Sequence, residues 1–334
     1  MTAMTVHLVV PSGFAERPSG GNVYDRRVQA GLLGAGWEIA THEVPDAPSL
    51  AAVLRALPDG VLVLVDGLVG SRDAELLLAE AGRLSLLLLV HMPFETPREA
   101  ELLRAAAAVV TTSDWTRRWL LAQYHLDRHR LHVAVPGADI GDPVSGTAGG
   151  GELLCLATVI RPKGQDVLLA ALAELRDLEW RCTLVGALDL DPDFVTELRT
   201  TAADTGIAER VRFAGALRHR DVRAAYAAAD ALVLPSQHET YGMVVTEALA
   251  HGVPVIASSV GGIPEALGHG DDGSRPGWLV PPDDPAALGQ ALRRWLEDPR
   301  RRQRLRRSAA LRRLTLPTWS HTTARVASAL EAAR

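Results

Sequence analysis

Short runs of leucine and β-branched residues recur along the first half of the chain, at Val6–Pro11, Trp37–Thr41, Val61–Asp66, Leu84–His91, Val109–Ser113 and Leu131–Pro136. Most are separated by stretches whose apolar positions have helical spacing, over Asn22–Leu33, Arg72–Arg83, Thr96–Ala107 and Asp114–Tyr124. Runs of the first kind predict strands, stretches of the second kind helices, and their alternation predicts parallel βαβ units. The alternation then breaks. Gly137–Gly151 holds six glycines with Pro143, Ser145 and Thr147 and little apolar content, the composition of a linker.

After it the pattern restarts. Strands are expected at Leu153–Val159, Arg181–Gly186, Val211–Gly215, Ala231–Pro235, Pro254–Ser258 and Trp278–Val280. Helices are expected at Gln165–Arg176, Asp193–Thr205, Asp221–Ala229, Tyr241–His251 and Pro285–Leu296, with a last one, Thr318–Ala332, after Pro317. The expected organisation is a first α/β domain over residues 1–140, a glycine-rich linker over 141–150, a second α/β domain over 151–316, and a terminal segment, 317–334, packing back on the first domain. Two such halves make the cleft between them the default ligand site.

Composition narrows the function classes. With 334 residues, 47% of them apolar, the chain can bury two ordinary cores. A net charge of −5 implies no general attraction to nucleic acid. The longest apolar run, Leu84–Val90, is interrupted by Ser85 and falls far short of a membrane span. The first strand pattern starts by Val6, too early for a signal peptide, so a cytoplasmic protein is expected. The two cysteines, Cys155 and Cys182, lie in strand-like runs and are expected to be buried reduced thiols, too few for a zinc or disulfide scaffold. Arg300–Arg307, continued by Arg312 and Arg313, lacks interleaved aromatics and is read as a solvated helix face. Trp119 with Arg117, Arg118, Arg128 and Arg130 offers at most a weak membrane-touching surface.

Of the 35 basic residues only Lys163 is a lysine. In so arginine-rich a chain, the survivor marks a position where a compact ammonium is wanted. Lys163 and Arg161 stand at a strand end and helix entrance, which suits a diphosphate. Gly20 and Gly21 precede a helix for which Asn22 is a plausible cap, and glycines there let a phosphate approach backbone N–H groups. Their spacing is neither Gly-x-Gly-x-x-Gly nor a Walker A loop.

The sharpest constellation is Pro235–Ala250. Glu239 is expected at the entrance of a helix beginning near Tyr241, and Glu247 within it. Eight helical residues span about 12 Å, beyond the roughly 5–9.5 Å of a paired glycosidase dyad. Each carboxylate is better placed to hold hydroxyls at opposite ends of one long ligand, with the N–H groups of Tyr241, Gly242 and Met243 meeting an anion between them. His91 ends the most apolar strand of the first half and is a fourth candidate.

Together these residues resemble glycosyltransferase family 4, the retaining GT-B enzymes that use nucleotide-diphosphate sugars. The family's Glu-x7-Glu motif falls on Glu239 and Glu247, its basic pair on Arg161 and Lys163, its glycine-rich first loop on Gly20 and Gly21, and its donor-contacting histidine on His91. Gly261–Glu265 matches the segment that follows. The resemblance implies a GT-B fold, two Rossmann-like domains with parallel sheets facing across a cleft. It implies transfer of a sugar with retention of configuration and without a metal or other cofactor. Carried over, Arg161 and Lys163 hold the diphosphate, Glu239 the sugar hydroxyls, Glu247 the ribose and His91 the hexose. Backbone amides of Gly21, Gly242 and Met243 complete the phosphate cradle, and Leu217 matches the segment beside the base. The first half is short for the family, which favours a small soluble acceptor. A nucleotide-sugar epimerase or phosphorylase on the same fold, and a nucleotide-sugar sensor without turnover, remain alternatives; a dehydrogenase is weaker, since the dinucleotide glycine fingerprint is absent.

Overall fold

The computed structural model describes residues 5–16 and 19–334. The chain divides into two compact units, one of residues up to Gly137 together with Pro317–Arg334, the other Ala138–Leu316.

The first unit holds a six-stranded sheet of β1 (Thr5–Pro11), β2 (Glu38–Val44), β3 (Leu62–Asp66), β4 (Ser85–Val90), β5 (Ala108–Thr111) and β6 (Leu131–Val133). Their order is β2-β1-β3-β4-β5-β6, and every pairing is parallel. In register, Val9 pairs with His42 on one side and Val65 on the other. Every residue of β3 and β5 is buried, as expected for strands covered on both faces. The second unit repeats the plan with β7 (Glu152–Leu156), β8 (Arg181–Val185), β9 (Val211–Gly215), β10 (Ala231–Leu234), β11 (Val255–Ser258) and β12 (Gly277–Val280), in the order β12-β11-β10-β7-β8-β9. All of its pairings are parallel too. The expected two-domain parallel α/β architecture is present.

These orders locate the sites. The chain builds outward from β1 in one direction and from β3 in the other, so the first sheet reverses between β1 and β3. The second reverses between β7 and β10. Ligands of open α/β sheets bind beyond the carboxyl ends of the strands at such reversals.

Helix ends differ from the expectation where caps decide them. The helix Gly20–Gly34 starts two residues earlier than expected, because Ser19 is its cap and its hydroxyl accepts the Asn22 N–H at 3.1 Å. Asn22 is thus a donor to the cap. The single helix expected over Arg72–Arg83 is two, Gly67–Arg72 and Ala74–Glu80. Asp66 starts the first of these by accepting the Leu68 and Val69 amides. Ala47–Ala56, capped by Asp46, is an additional helix. The last helix, Trp319–Ala332, packs on Gly20–Gly34, where Thr323 Oγ1 fills the space of the missing Gly31 side chain.

The expected solvated arginine face is met in part: Arg300, Arg301, Arg304 and Arg307 are exposed, but not the whole run. The Arg-rich segment is the helix Pro299–Arg313, and several of its guanidinium groups are spent on backbone carbonyls instead of solvent. Arg302 is buried and donates to Trp295, Leu296 and Ala148, Arg306 to Thr147 and Asp230, and Arg313 to Gly141 and Ala250. The glycine-rich 141–150 stretch is therefore stitched to the second unit, which begins at Ala138. Trp119 meets Tyr124 edge-on at 5.2 Å, while Arg117 and Arg118 both pair with Asp114. Cys155 and Cys182 are buried free thiols on neighbouring strands. Among the described residues no helix is long and apolar enough to cross a membrane.

Candidate active site

In the second unit, three loops at the carboxyl ends of adjacent strands β7, β10 and β11 come together. The chain after β7 closes in a short 3₁₀ turn, Arg161–Lys163, ended by Gly164 at φ +69°. A Cβ there would stand 2.2 Å from the Pro235 carbonyl oxygen, so glycine lets this turn lie directly on the end of β10. The Gln237 N–H donates to the Pro162 carbonyl at 2.9 Å and fixes the two loops to each other.

Across that junction Lys163 Nζ donates to Glu239 Oε1 at 2.6 Å, and Ser236 Oγ donates to the same oxygen at 3.1 Å. Both partners keep access to solvent, at 26% and 15% exposure. A pair so placed can exchange partners with an incoming anion and its hydroxyls. The third loop braces the Glu239 backbone. Gly261 sits at φ +52°, where a Cβ would collide with the Glu239 carbonyl oxygen, and the Gly262 N–H donates to that oxygen at 3.0 Å. The matched Gly261–Glu265 segment thus shapes the backbone of Glu239.

The following helix is Met243–Ala250, two residues later than expected. Gly242, at φ +85°, is its cap and supplies no side chain to it. Tyr241 lies in the preceding turn with its ring buried. Helix N-termini leave N–H groups without intrahelical acceptors, and here the first of these follow a bare glycine. Glu247 is on the first turns of this helix and accepts the Tyr226 hydroxyl at 2.9 Å. Tyr226 is itself fixed by stacking on His251, ring centroids 5.1 Å apart.

Two expected residues stand elsewhere in this unit. The Arg161 guanidinium is exposed, 2.6 Å from Glu197 and 5.1 Å from the centre of the Phe194 ring. Leu217, in the loop after β9, lines a hollow of about 390 Å³ with Leu154, Val185 and Ala225. Lys163 and Glu239 do not line it.

In the first unit the loops after β1, β3 and β4 also converge. Gly20 and Gly21 form the first turn of their helix, and a Cβ on Gly21 would be 3.3 Å from His91 Cδ2. His91 Nε2 lies 2.8 Å from Asp25 Oδ1 and 3.4 Å from Asp66 Oδ2. Asp25 is completely buried and Asp66 nearly so. Burial by itself disfavours the imidazolium, but the two carboxylates outweigh it and raise the His91 pKa well above its usual value. Burial likewise raises Asp25, against the opposing pull of His91. Burial acts to raise Asp66 also, yet His91 and the amide donors leave it lowered. Among the described residues, these three offer donor atoms within 4.8 Å of one another, close enough to hold a metal ion.

Asp25, Asp66, Tyr226 and Ser236 were not singled out from the sequence. Asp25 alone left a readable signal, since it shares the apolar face of its helix with Val28 and Leu32.

Residues 145–312, the span that carries Lys163, Glu239 and Glu247, match the family described as glycosyl transferases group 1. A D-inositol 3-phosphate glycosyltransferase of Catenulispora acidiphila is 34% identical over 238 residues, covering 65% of this chain and 55% of that protein. The protein of the same name from Jonesia denitrificans is 32% identical over 244 residues, covering 67% and 56%. The chain thus spans about half the length of these curated relatives. Among solved structures, a glycosyltransferase of Rickettsia africae superposes with a TM-score of 0.80 at 16% identity, covering 100% of this chain and 99% of that one. Anabaena HepE in complex with UDP and glucose gives 0.77 at 20% identity, covering 98% and 99%. These structural likenesses establish the GT-B fold.

Proposed function

Because this chain belongs to the family of group 1 glycosyl transferases, we propose that it moves a sugar from a nucleotide-diphosphate sugar to a small soluble acceptor, with retention of configuration and without a metal. The bond from the anomeric carbon to the diphosphate breaks, and a bond from that carbon to the acceptor oxygen forms on the same face. The acceptor proton passes to a donor phosphate oxygen, and nucleoside diphosphate leaves. Negative charge grows on the diphosphate, so fixed cations and N–H groups aimed there are the largest lever available to the protein.

The observation that carries this reading is the 2.6 Å contact between Lys163 and Glu239, made across two loops at the strand-order reversal of the second sheet. It supports an ammonium for the diphosphate beside a carboxylate for sugar hydroxyls. Arg161 serves the same diphosphate after exchanging Glu197 for it. Gly21, Gly242 and Met243 supply amides, Tyr241 contributes from the turn before the helix, Glu247 holds the ribose, Leu217 borders the base, and His91 addresses the hexose. The names of the curated relatives make a phosphorylated polyol the first acceptor to test, and the UDP and glucose bound to Anabaena HepE make UDP-glucose the first donor.

The test is release of nucleoside diphosphate from UDP-, GDP- and ADP-sugars, with and without polyol phosphates, with the anomeric configuration of the product read by NMR. Acceptor-dependent release with retention is expected. Binding without turnover of any donor would sink the transferase reading in favour of a sensor.

A further inference from the structure

Each sheet ends in two edge strands, and three of these four carry ionisable side chains: Glu38, His42 and Glu43 on β2, His132 on β6 and Arg212 on β9. Charged side chains on an edge discourage a further strand from pairing there. The fourth edge, β12, reads Gly-Trp-Leu-Val and carries none. Pro276 and Pro281 flank it and hold it to four residues.

The hydrogen-bond pattern shows which backbone groups lie on its outer side. The Val255 N–H donates to the Pro276 carbonyl at 3.2 Å and the Ser259 N–H to the Val280 carbonyl at 2.7 Å, with Val255 opposite Gly277 in parallel register. Successive residues of a strand turn their N–H and C=O groups to opposite neighbours. Pro276, Trp278 and Val280 therefore face β11. The N–H and C=O groups of Gly277 and Leu279 face away from it and have no partner among the described residues. Both residues line a hollow of about 660 Å³, walled by the helices Pro285–Glu297 and Pro299–Arg313 and by the loop before β12.

Those walls are cationic. His269, Arg275, Arg294 and Arg301 line the hollow, and no acidic residue does. Arg275 and Arg294 form no ion pair among the described residues. The acids nearest in sequence are already committed. Asp298 pairs with Arg301 and caps its helix by accepting the Arg300 and Arg301 amides, and Asp272 accepts the Ser274 N–H. In a chain of net charge −5, this face is a local reversal of sign. Edge-to-edge pairing of two copies would bring two such walls together, which like charge opposes, whereas an acidic segment is complementary to them.

We propose that β12 is a docking edge for an extended acidic peptide segment. The segment adds to the sheet through the N–H and C=O groups of Gly277 and Leu279, and its carboxylates meet Arg275, Arg294 and Arg301. In such strand addition the backbone bonds supply affinity and the side chains along the groove supply selectivity. The hollow shares no lining residue with the Lys163–Glu239 pair, so the docking edge stands or falls apart from the transferase reading.

The test follows amide hydrogen exchange on the full chain, residue by residue, with three short peptides as probes. One alternates glutamate and valine, one alternates lysine and valine, and one is the glutamate–valine peptide methylated at every backbone nitrogen. Without peptide, the Gly277 and Leu279 amides are expected to exchange fast while those of Trp278 and Val280 stay protected. The glutamate–valine peptide is expected to slow Gly277 and Leu279 by at least about tenfold, the scale of one added hydrogen bond, and less so as salt is raised. The other two peptides are expected to leave them fast. Arg275→Glu combined with Arg294→Glu, at two exposed positions, is expected to weaken binding by at least about tenfold while Trp278 and Val280 keep their protection. Slow Gly277 and Leu279 exchange without peptide would mean that the edge is already covered and would overturn the proposal. So would an absence of protection at about 1 mM glutamate–valine peptide, the weak end of specific association. Binding that survives charge reversal or full methylation would overturn it as well. Protection by tripolyphosphate or by a uridine oligomer, with none by the peptide, would assign the hollow to small anions or to nucleic acid instead.

Discussion

Lys163 Nζ lies 2.6 Å from Glu239 Oε1, although 76 residues of chain separate them. Two facts of the fold bring them together: β7 and β10 are neighbours in the sheet, and Gly164 lets the turn after β7 lie on the end of β10. The only lysine of the chain is therefore spent on one of the two family-matched glutamates.

Replacing Lys163 by alanine is expected to reduce kcat/KM by about 10²–10³, the scale of removing one preorganised charge-stabilising donor. Lys163→Arg is expected to recover little, because a planar guanidinium cannot occupy the site of a compact ammonium. Steady-state kinetics with the preferred donor checks both. An arginine variant with near wild-type rate would mean that charge alone matters here.

Tyr226 donates to Glu247 at 2.9 Å and is fully buried. Tyr226→Phe keeps the ring and its stacking on His251 but removes the hydroxyl that Glu247 accepts. If Glu247 holds the ribose, KM for the donor should rise several-fold with kcat nearly unchanged, the signature of lost uniform binding. Equal falls in kcat and kcat/KM would place Glu247 in the chemical step instead.

All twelve strands and most of the helices were legible in the sequence, because periodicity is a local property; Ala47–Ala56 and the break between Gly67–Arg72 and Ala74–Glu80 were not. Long-range pairing was not. Asp25 and His91 are 66 residues apart and Tyr226 and Glu247 are 21 apart, and no spacing rule says which helix face meets which loop. The run Arg300–Arg313 shows the same limit from the other side. A cluster of like charges reads as solvated, yet Arg302, Arg306 and Arg313 end on carbonyls that only the folded chain presents. Lys163 and Glu239 were found because each sits at a strand end, a position recognisable before its partner is known.

The two carboxylates beside His91 also make a prediction about stability. Its pKa is raised from 6.5 to about 10 in the folded chain, so the native state binds a proton that the unfolded chain releases near neutrality. This contribution is fully present below the unfolded value and is lost as pH rises through the folded one. Asp25, also raised, acts in the same direction at lower pH. Urea midpoints are expected to fall between neutral and alkaline pH, and His91→Gln should flatten that slope. A flat wild-type profile would show that the ring is neutral in the folded protein.

Asp230 supports the last prediction. Its carboxylate is buried and collects the Thr147 N–H and hydroxyl, the Glu152 N–H at 2.9 Å and the Arg306 guanidinium at 2.7 Å. Through them it binds the glycine-rich stretch to the first strand of the second sheet. Asp230→Ala removes the shared acceptor and leaves two backbone donors and one cation facing a small cavity. Breaking a buried charged pair by deleting one partner costs about 3–5 kcal/mol. That is a large part of the stability of an ordinary domain, about 5–15 kcal/mol. Asp230→Asn retains one acceptor and should recover part of the loss. Chemical denaturation followed by tryptophan emission is a direct readout, because Trp295 donates its indole N–H to Gly150 within the same segment at 2.7 Å. If Asp230→Ala unfolds at the wild-type midpoint, the stretch is held by Arg302, Arg313 and Trp295 without it.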